Sequence, residues 1–162
     1  MAVILDGKAV SAKVKEEVKE EVEALKKQGV SVGLAVIIVG NNPASRTYVN
    51  NKKKACEAAG IVSEEYALPE EATQEELLAL VRELNQKDSI NGILCQLPLP
   101  KHLDEEAVIA AISEKKDVDA FSAVNVGHIM IGDYSFLPCT PAGIMEILRH
   151  YNIDVAGKEC VV

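Results

Sequence analysis

Apolar residues recur along this chain with two periods, and the changes between them lay out the elements. Val10, Val14, Val18, Val22 and Leu25 return every three or four positions between Lys and Glu, and Gly29 ends the run. That pattern is a long amphipathic helix whose charged face, Lys13 to Lys27, is solvated and needs no functional reading. Val32 to Val39 is instead continuously apolar, as in strands covered on both faces of a parallel sheet. Asn42 and Pro43 then read as the cap and first residue of a helix that Gly60 closes. A short strand near Ile61 to Leu68 follows, and Thr73-Gln74-Glu75-Glu76 is a capping box opening a helix through Leu77, Leu78, Val81 and Leu84. Ile90 to Cys95 is the next strand, Leu103 to Ile112 a further helix, and Thr140-Pro141 opens one through Ile144, Ile147 and Leu148. Strand and helix alternate from residue 32 onward. This predicts βαβ units and an α/β fold, a three-layer domain with a mostly parallel sheet flanked by helices.

Within the helix that Gly60 closes, Tyr48, Lys52, Cys56 and Ala59 fall on one stripe, since residues four apart stack. Cys56 and Ala59 are small and apolar, so the stripe is expected to face inward. Of three consecutive lysines, 52 to 54, only Lys52 shares it. A partly buried lysine must be paired or lose its proton more readily, and a lowered pKa suits proton transfer near neutral pH. The competing reading is a solvated basic patch.

Composition narrows the partners. With 48% hydrophobic residues but only 4% aromatics and no Trp, the core must be built from Val, Ile, Leu and Ala. Asp plus Glu outnumber Lys plus Arg by 25 to 17, which argues against nucleic acid and anionic membranes as partners. A small anion held by Arg46 and the lysine cluster stays compatible with that balance. No apolar run approaches the ~20 residues that span a bilayer, and the start lacks the basic and apolar regions of a signal peptide. Cys56, Cys95, Cys139 and Cys160 are widely spaced, without a Cys-x-x-Cys or a zinc-like His, and read as buried free thiols of a cytoplasmic protein without a metal site. His102, His128 and His150 form no cluster.

Four ordered segments carry a resemblance. Ser45 to Gly60 is followed by Gly92-Ile93-Leu94-Cys95-Gln96-Leu97-Pro98-Leu99-Pro100, Lys116-Asp117-Val118-Asp119 and Pro138-Cys139-Thr140-Pro141-Ala142-Gly143. In that order they resemble the amino-terminal half of the bifunctional methylenetetrahydrofolate dehydrogenase/cyclohydrolase family, over nearly the whole chain from Asp6-Gly7. The resemblance implies oxidation of 5,10-methylenetetrahydrofolate with NADP (or NAD in some members) and hydrolysis of the methenyl product to 10-formyltetrahydrofolate. It also implies tetrahydrofolate derivatives as ligands and a homodimer. Carried over, Lys52 matches the catalytic lysine, Tyr48 the tyrosine lining the folate site, and Gln96 the glutamine beside the lysine. Leu97 and Pro98 follow Gln96 in the substrate site, and Asp119 matches the aspartate that binds the pterin. A cis X-Pro bond in Leu97-Pro98-Leu99-Pro100 is compatible with the sequence but not decided by it.

The resemblance divides the chain into a folate-binding domain at 1–140, a connecting helix at 141–152, and at 153–162 the first strand of a Rossmann-like nucleotide-binding domain. The chain then reads as a truncated form of a protein roughly twice as long. No Gly-x-Gly-x-x-Gly occurs in the 162 residues, so no cofactor site for NADP is expected within them. One departure stands out: the family more often has Gly after the pterin-binding aspartate, where this chain has Ala120. Should that position need positive φ, Ala costs about 1 kcal/mol there. Two alternatives stay open, the substrate domain of another two-domain dehydrogenase and a non-catalytic binding domain with solvated lysines.

Overall fold

The computed structural model describes residues 3–161. Met1, Ala2 and Val162, which belong to the expected spans 1–140 and 153–162, lie outside the described residues. Helix α1 (Gly7–Lys27) opens on Asp6, whose side chain accepts from the amides of Lys8 and Ala9. Strand β1 (Gly33–Val39) leads into α2 (Pro43–Ala59), then β2 (Val62–Leu68), α3 (Gln74–Gln86) and β3 (Gly92–Cys95). Helices α4 (Glu105–Ala111), α5 (Ala123–Ile131) and α6 (Cys139–His150) complete the order. The sheet runs β2-β1-β3 with both pairings parallel, in register from Gly33 opposite Val62 and Leu34 opposite Gly92.

The central strand β1 shows why the pattern at 32–39 is unbroken. Its Ala35, Ile37 and Val39 pack with Leu77, Val81 and Leu84 of α3 and Val108 of α4. On the other face Val36 and Ile38 pack with Leu94 of β3 and Val49 of α2. Each such buried side chain contributes about 1.5–3 kcal/mol relative to exposure. With α1 laid over α2, the result is the three-layer α/β arrangement that the alternation predicts. Two glycines permit the close approach: a Cβ on Gly33 would meet the Ser89 carbonyl oxygen at 1.9 Å, and one on Gly92 would meet Val118 Cγ1 at 2.5 Å.

The local signals act as read. Thr73 and Glu76 form the reciprocal capping box, and the Thr73 backbone N–H holds the Glu76 carboxyl below the ordinary carboxylate range. Gly60 ends α2 at φ 79°. Helix α5 is an addition. Its Ala-Val-Asn-Val-Gly-His-Ile-Met-Ile is apolar nearly throughout, so no helical stripe marks it, and its start is set by Ser122, which accepts from the Asn125 amide. Helix α6 starts two residues before Pro141 and lies against α1, with the Tyr151 hydroxyl accepting from the Asp6 amide at 2.9 Å.

The expected strand at 153–162 is not formed over 153–161. Those residues make turns and unpaired backbone, leaving Ile153, Val155 and Val161 exposed. A strand needs a ladder partner, and no described strand lies beside it.

Candidate functional site

The site is built on α2, the loop that leaves β3 and the loop between α4 and α5. At the start of α2 the Asn42 side chain accepts from the Ala44 and Ser45 amides, and Pro43 takes the first helical position, where a missing N–H costs nothing. The buried line of the helix runs Ser45, Val49, Cys56, Ala59, with Lys52 half-buried between Val49 and Cys56. This corrects the expected stripe at one end. Tyr48 is 63% exposed, because Val49, one residue on, occupies the inward position. At 3.6 residues per turn the inward line advances by three and four alternately, and a strict four-residue step drifts off it.

Lys52 Nζ donates to Gln96 Oε1 at 2.8 Å. The Gln96 amide donates in turn to the Leu97 carbonyl at 2.7 Å, which fixes the orientation of its oxygen toward the lysine. Gln96 stands just beyond the carboxyl end of β3, with its own N–H donating to the Ile37 carbonyl of β1, so the sheet itself positions it. Lys53 and Lys54 are exposed. Lys52 is therefore distinguished from its neighbours by burial and by a partner, which a solvated patch does not require.

Asp119 borders the same cavity as the lysine from the loop between α4 and α5. Burial pushes its carboxyl above the ordinary range, the Lys52 ammonium partly offsets this, and the Asp117 carboxylate adds to it. Lys52 and Asp119 share a cavity of about 530 Å³ whose walls include Leu34, Cys56, Val118 and Phe136. An apolar cleft with one cation and one carboxylate at its wall suits a flat heterocycle that carries hydrogen-bond donors. Tyr48 lies on α2 one turn before Lys52, and among the described residues its hydroxyl makes no hydrogen bond to Lys52 or Gln96.

Leu97 is half-buried against the α3 side of the core, and the Leu97-Pro98 bond is cis. Pro98 is exposed and lines a separate hollow of about 280 Å³ with Asn41, Asn42 and Leu99. Sequence reasoning missed three polar residues behind Asp119. Asp117 is 3% exposed, with Ser122 and Asn125 buried beside it. The apolar neighbours of Asn125 on α5 were the available signal. The cysteines divide: Cys56 and Cys95 are buried, whereas Cys139 and Cys160 are exposed, against the expectation of four buried thiols. Among the described residues no cluster of His, Cys, Asp and Glu has the makings of a metal site, and no helix is long and apolar enough to cross a membrane.

A lysine on α2 bonded to a glutamine just beyond the carboxyl end of β3, with an aspartate on the same apolar cleft, marks the ligand-binding site of a parallel α/β domain. The family model for the tetrahydrofolate dehydrogenase/cyclohydrolase catalytic domain matches residues 5–119, and the chain belongs to that family. It is 63% identical over 161 residues to the bifunctional protein FolD of Acetivibrio thermocellus, covering 99% of this chain and 56% of that protein. It is 59% identical over 162 residues to FolD of Agathobacter rectalis, covering 100% of this chain and 58% of the relative. The chain thus spans a little over half the length of these curated relatives. Among solved structures, the FolD methylenetetrahydrofolate dehydrogenase/cyclohydrolase of Campylobacter jejuni superposes with a TM-score of 0.94 at 54% identity, over 96% of this chain and 56% of that one. The Trypanosoma brucei enzyme, solved with NADP cofactor and inhibitor, gives 0.91 at 38% identity, over 97% and 54%.

Proposed function

We propose that this chain is the folate-binding half of a 5,10-methylenetetrahydrofolate dehydrogenase and 5,10-methenyltetrahydrofolate cyclohydrolase. The observation that carries the reading is the Lys52–Gln96 hydrogen bond beside a cavity shared with Asp119. The Asp119 carboxylate accepts from the ring N–H and amino group of the pterin, a charge-assisted pair that fixes the ring. Tyr48, exposed beside Lys52, covers the outer face of the bound folate, and Leu97 and Pro98 border it. In hydrolysis, water adds to the cationic methenyl carbon while Lys52 Nζ takes its proton. The same nitrogen then returns that proton to the ring nitrogen as its bond to carbon breaks, and the carbinol hydroxyl releases its own proton to solvent as it becomes the formyl carbonyl on the other nitrogen. Gln96 holds Nζ at the cleft wall throughout.

The oxidation needs a hydride acceptor, and NADP is the one bound in the trypanosomal relative. The residues of this chain do not fit a dinucleotide. No Gly-x-Gly-x-x-Gly is present, and the start of α2 after β1 is closed by the Asn42 side chain, which takes the amides a pyrophosphate would use. No step is therefore assigned to these residues in hydride transfer beyond holding the folate. In the full-length protein, residues 1–140 form the folate domain and 141–152 the connector. Residues 153–162 lead into a nucleotide-binding domain that brings the strands they pair with. That protein is a cytoplasmic homodimer, a state that light scattering checks.

The deciding experiment is methenyltetrahydrofolate hydrolysis by full-length Lys52→Ala. Loss of turnover with the thermal transition unchanged is expected, and near-normal hydrolysis would remove the lysine from the chemistry. A scaffold with no enzymatic role would show no saturable tetrahydrofolate binding at all.

A further inference from the structure

Asp119 sits on a loop with little regular structure, yet the loop is tied down on three sides. The Ile93 amide of β3 donates to the Lys116 carbonyl at 2.7 Å, and Ile93 pairs with Asp117 as an isolated parallel bridge. Lys116 Nζ donates to the Leu84 and Lys87 carbonyls at 3.1 and 3.0 Å, closing the carboxyl end of α3. The third tie comes from α5. Asn125 is 6% exposed, and its amide nitrogen donates to Asp117 Oδ2 at 3.0 Å and to the Glu114 carbonyl at 3.1 Å. Both amide hydrogens are thus spent on the arm that leads to Asp119. Asp117 Oδ2 also accepts from the Ser122 amide at 2.9 Å, so one carboxylate oxygen joins the two ends of the 117–122 loop. Between them Ala120 is held at φ 54°, its amide donating to the Asp117 carbonyl. A left-handed alanine persists only where its surroundings over-determine it.

We infer that Asn125 is a positioning residue for substrate binding, acting through the buried Asp117 to hold Asp119 against the cavity opposite Lys52. The inference rests on the reading of Asp119 as the pterin-binding group. Asn125 touches no cavity wall shared with Lys52 and has no role in proton transfer. It belongs to the helix that follows the loop, so it couples the register of α5 to the presentation of the carboxylate. The charged and titratable groups that bear on Asp119 are Lys52 of α2, Asp117 of its own loop and the Cys95 thiol of β3.

The test uses two variants of the 162-residue chain and two readouts, tetrahydrofolate titration and the ligand-free titration of the Asp119 carboxyl carbon by NMR. Asn125→Ala is expected to weaken tetrahydrofolate binding by roughly tenfold or more, the worth of a lost hydrogen bond to a carboxylate, and to move the ligand-free Asp119 midpoint down toward the ordinary range as the released carboxyl regains solvent. Asp117→Asn retains an oxygen able to accept from Ser122 and Asn125. With the charge gone those hydrogen bonds are weaker, and binding at about pH 8, well above the carboxylate range, is expected to weaken by a smaller factor than in Asn125→Ala. Unchanged affinity in Asn125→Ala, or an Asp119 midpoint that Asn125→Ala does not move, overturns the inference. Should Asn125→Ala fail to fold, Asp117→Asn decides: affinity equal to the parent's overturns the inference. An Asp119→Ala chain that binds tetrahydrofolate like the parent overturns the pterin reading itself, whereas the ligand-free midpoint tests the clamp independently.

Discussion

Lys52 Nζ and Gln96 Oε1 lie 2.8 Å apart although 44 positions separate them in the chain. The helix after β1 and the end of β3 meet because β1 and β3 are hydrogen-bonded neighbours in the sheet. The two side chains should therefore act as one unit. In the full-length protein, Lys52→Ala is expected to reduce methenyl hydrolysis by about 10²–10⁴-fold, the usual worth of general acid–base catalysis. Adding Gln96→Ala should then cost much less than it does alone, because the group it orients is gone. A double-mutant cycle on the hydrolysis rate measures this, and strictly additive losses would separate the two roles.

Folate affinity should depend on pH through Asp119. The ionised carboxylate is the form that accepts from the pterin, and burial holds the free carboxyl above the ordinary range. Lowering the pH protonates it early, so tetrahydrofolate binding should weaken beginning above the usual carboxylate window and recover as pH rises through it. Asp119→Ala should abolish that limb and weaken binding by about 1.5–3 kcal/mol. Calorimetric titration across pH reads both effects.

Thiol reactivity should divide by burial. Cys95 is shielded, and burial pushes its thiol up to about 12, so almost no thiolate is present near neutrality. Burial likewise raises Cys56. Iodoacetamide on the native protein should therefore modify Cys139 and Cys160 first, with Cys56 and Cys95 labelled only after unfolding. Peptide mapping by mass spectrometry checks the order.

Stability should be most sensitive where β1 is enclosed. Leu77 of α3 is fully buried against that strand, and Leu77→Ala should cost about 2–5 kcal/mol. Gly33→Ala places a methyl 1.9 Å from the Ser89 carbonyl oxygen, a backbone atom that cannot swing aside. Overpacking of that kind costs about 1–3 kcal/mol or more. Urea unfolding of both variants gives the values, and a Gly33→Ala transition like the parent's would mean the β1–β3 edge yields more than this packing implies.

The 162-residue chain alone should neither bind NADP at micromolar affinity nor support NADP-dependent oxidation of methylenetetrahydrofolate. Its residues provide no glycine-rich phosphate loop, and hydride transfer needs the nicotinamide held at reacting distance from the methylene carbon. Fluorescence titration with NADPH tests this directly. Tight binding would reveal a dinucleotide site of another form.

The sequence by itself determined the elements whose causes are local. The apolar run of β1, the Asn42–Pro43 start and Gly60 stop of α2, and the Thr73–Glu76 box depend on neighbours a few residues away and could be read directly. Helix phase set Lys52 apart from Lys53 and Lys54, whereas Gln96 and Ala120 were singled out only by the family resemblance. Tertiary structure alone decided the rest. Whether Tyr48 or Val49 turns inward depends on where β1 and β3 lie against α2, which no local period specifies. Asp117 became a buried anchor only because α5 delivers Asn125 and the loop delivers the Ser122 amide to the same oxygen. Helix α5 itself, apolar almost all round, carries no stripe for a periodicity to detect. Residues 153–161 carry a strand's composition and remain unpaired, because pairing is a property of two strands and no described strand lies beside them.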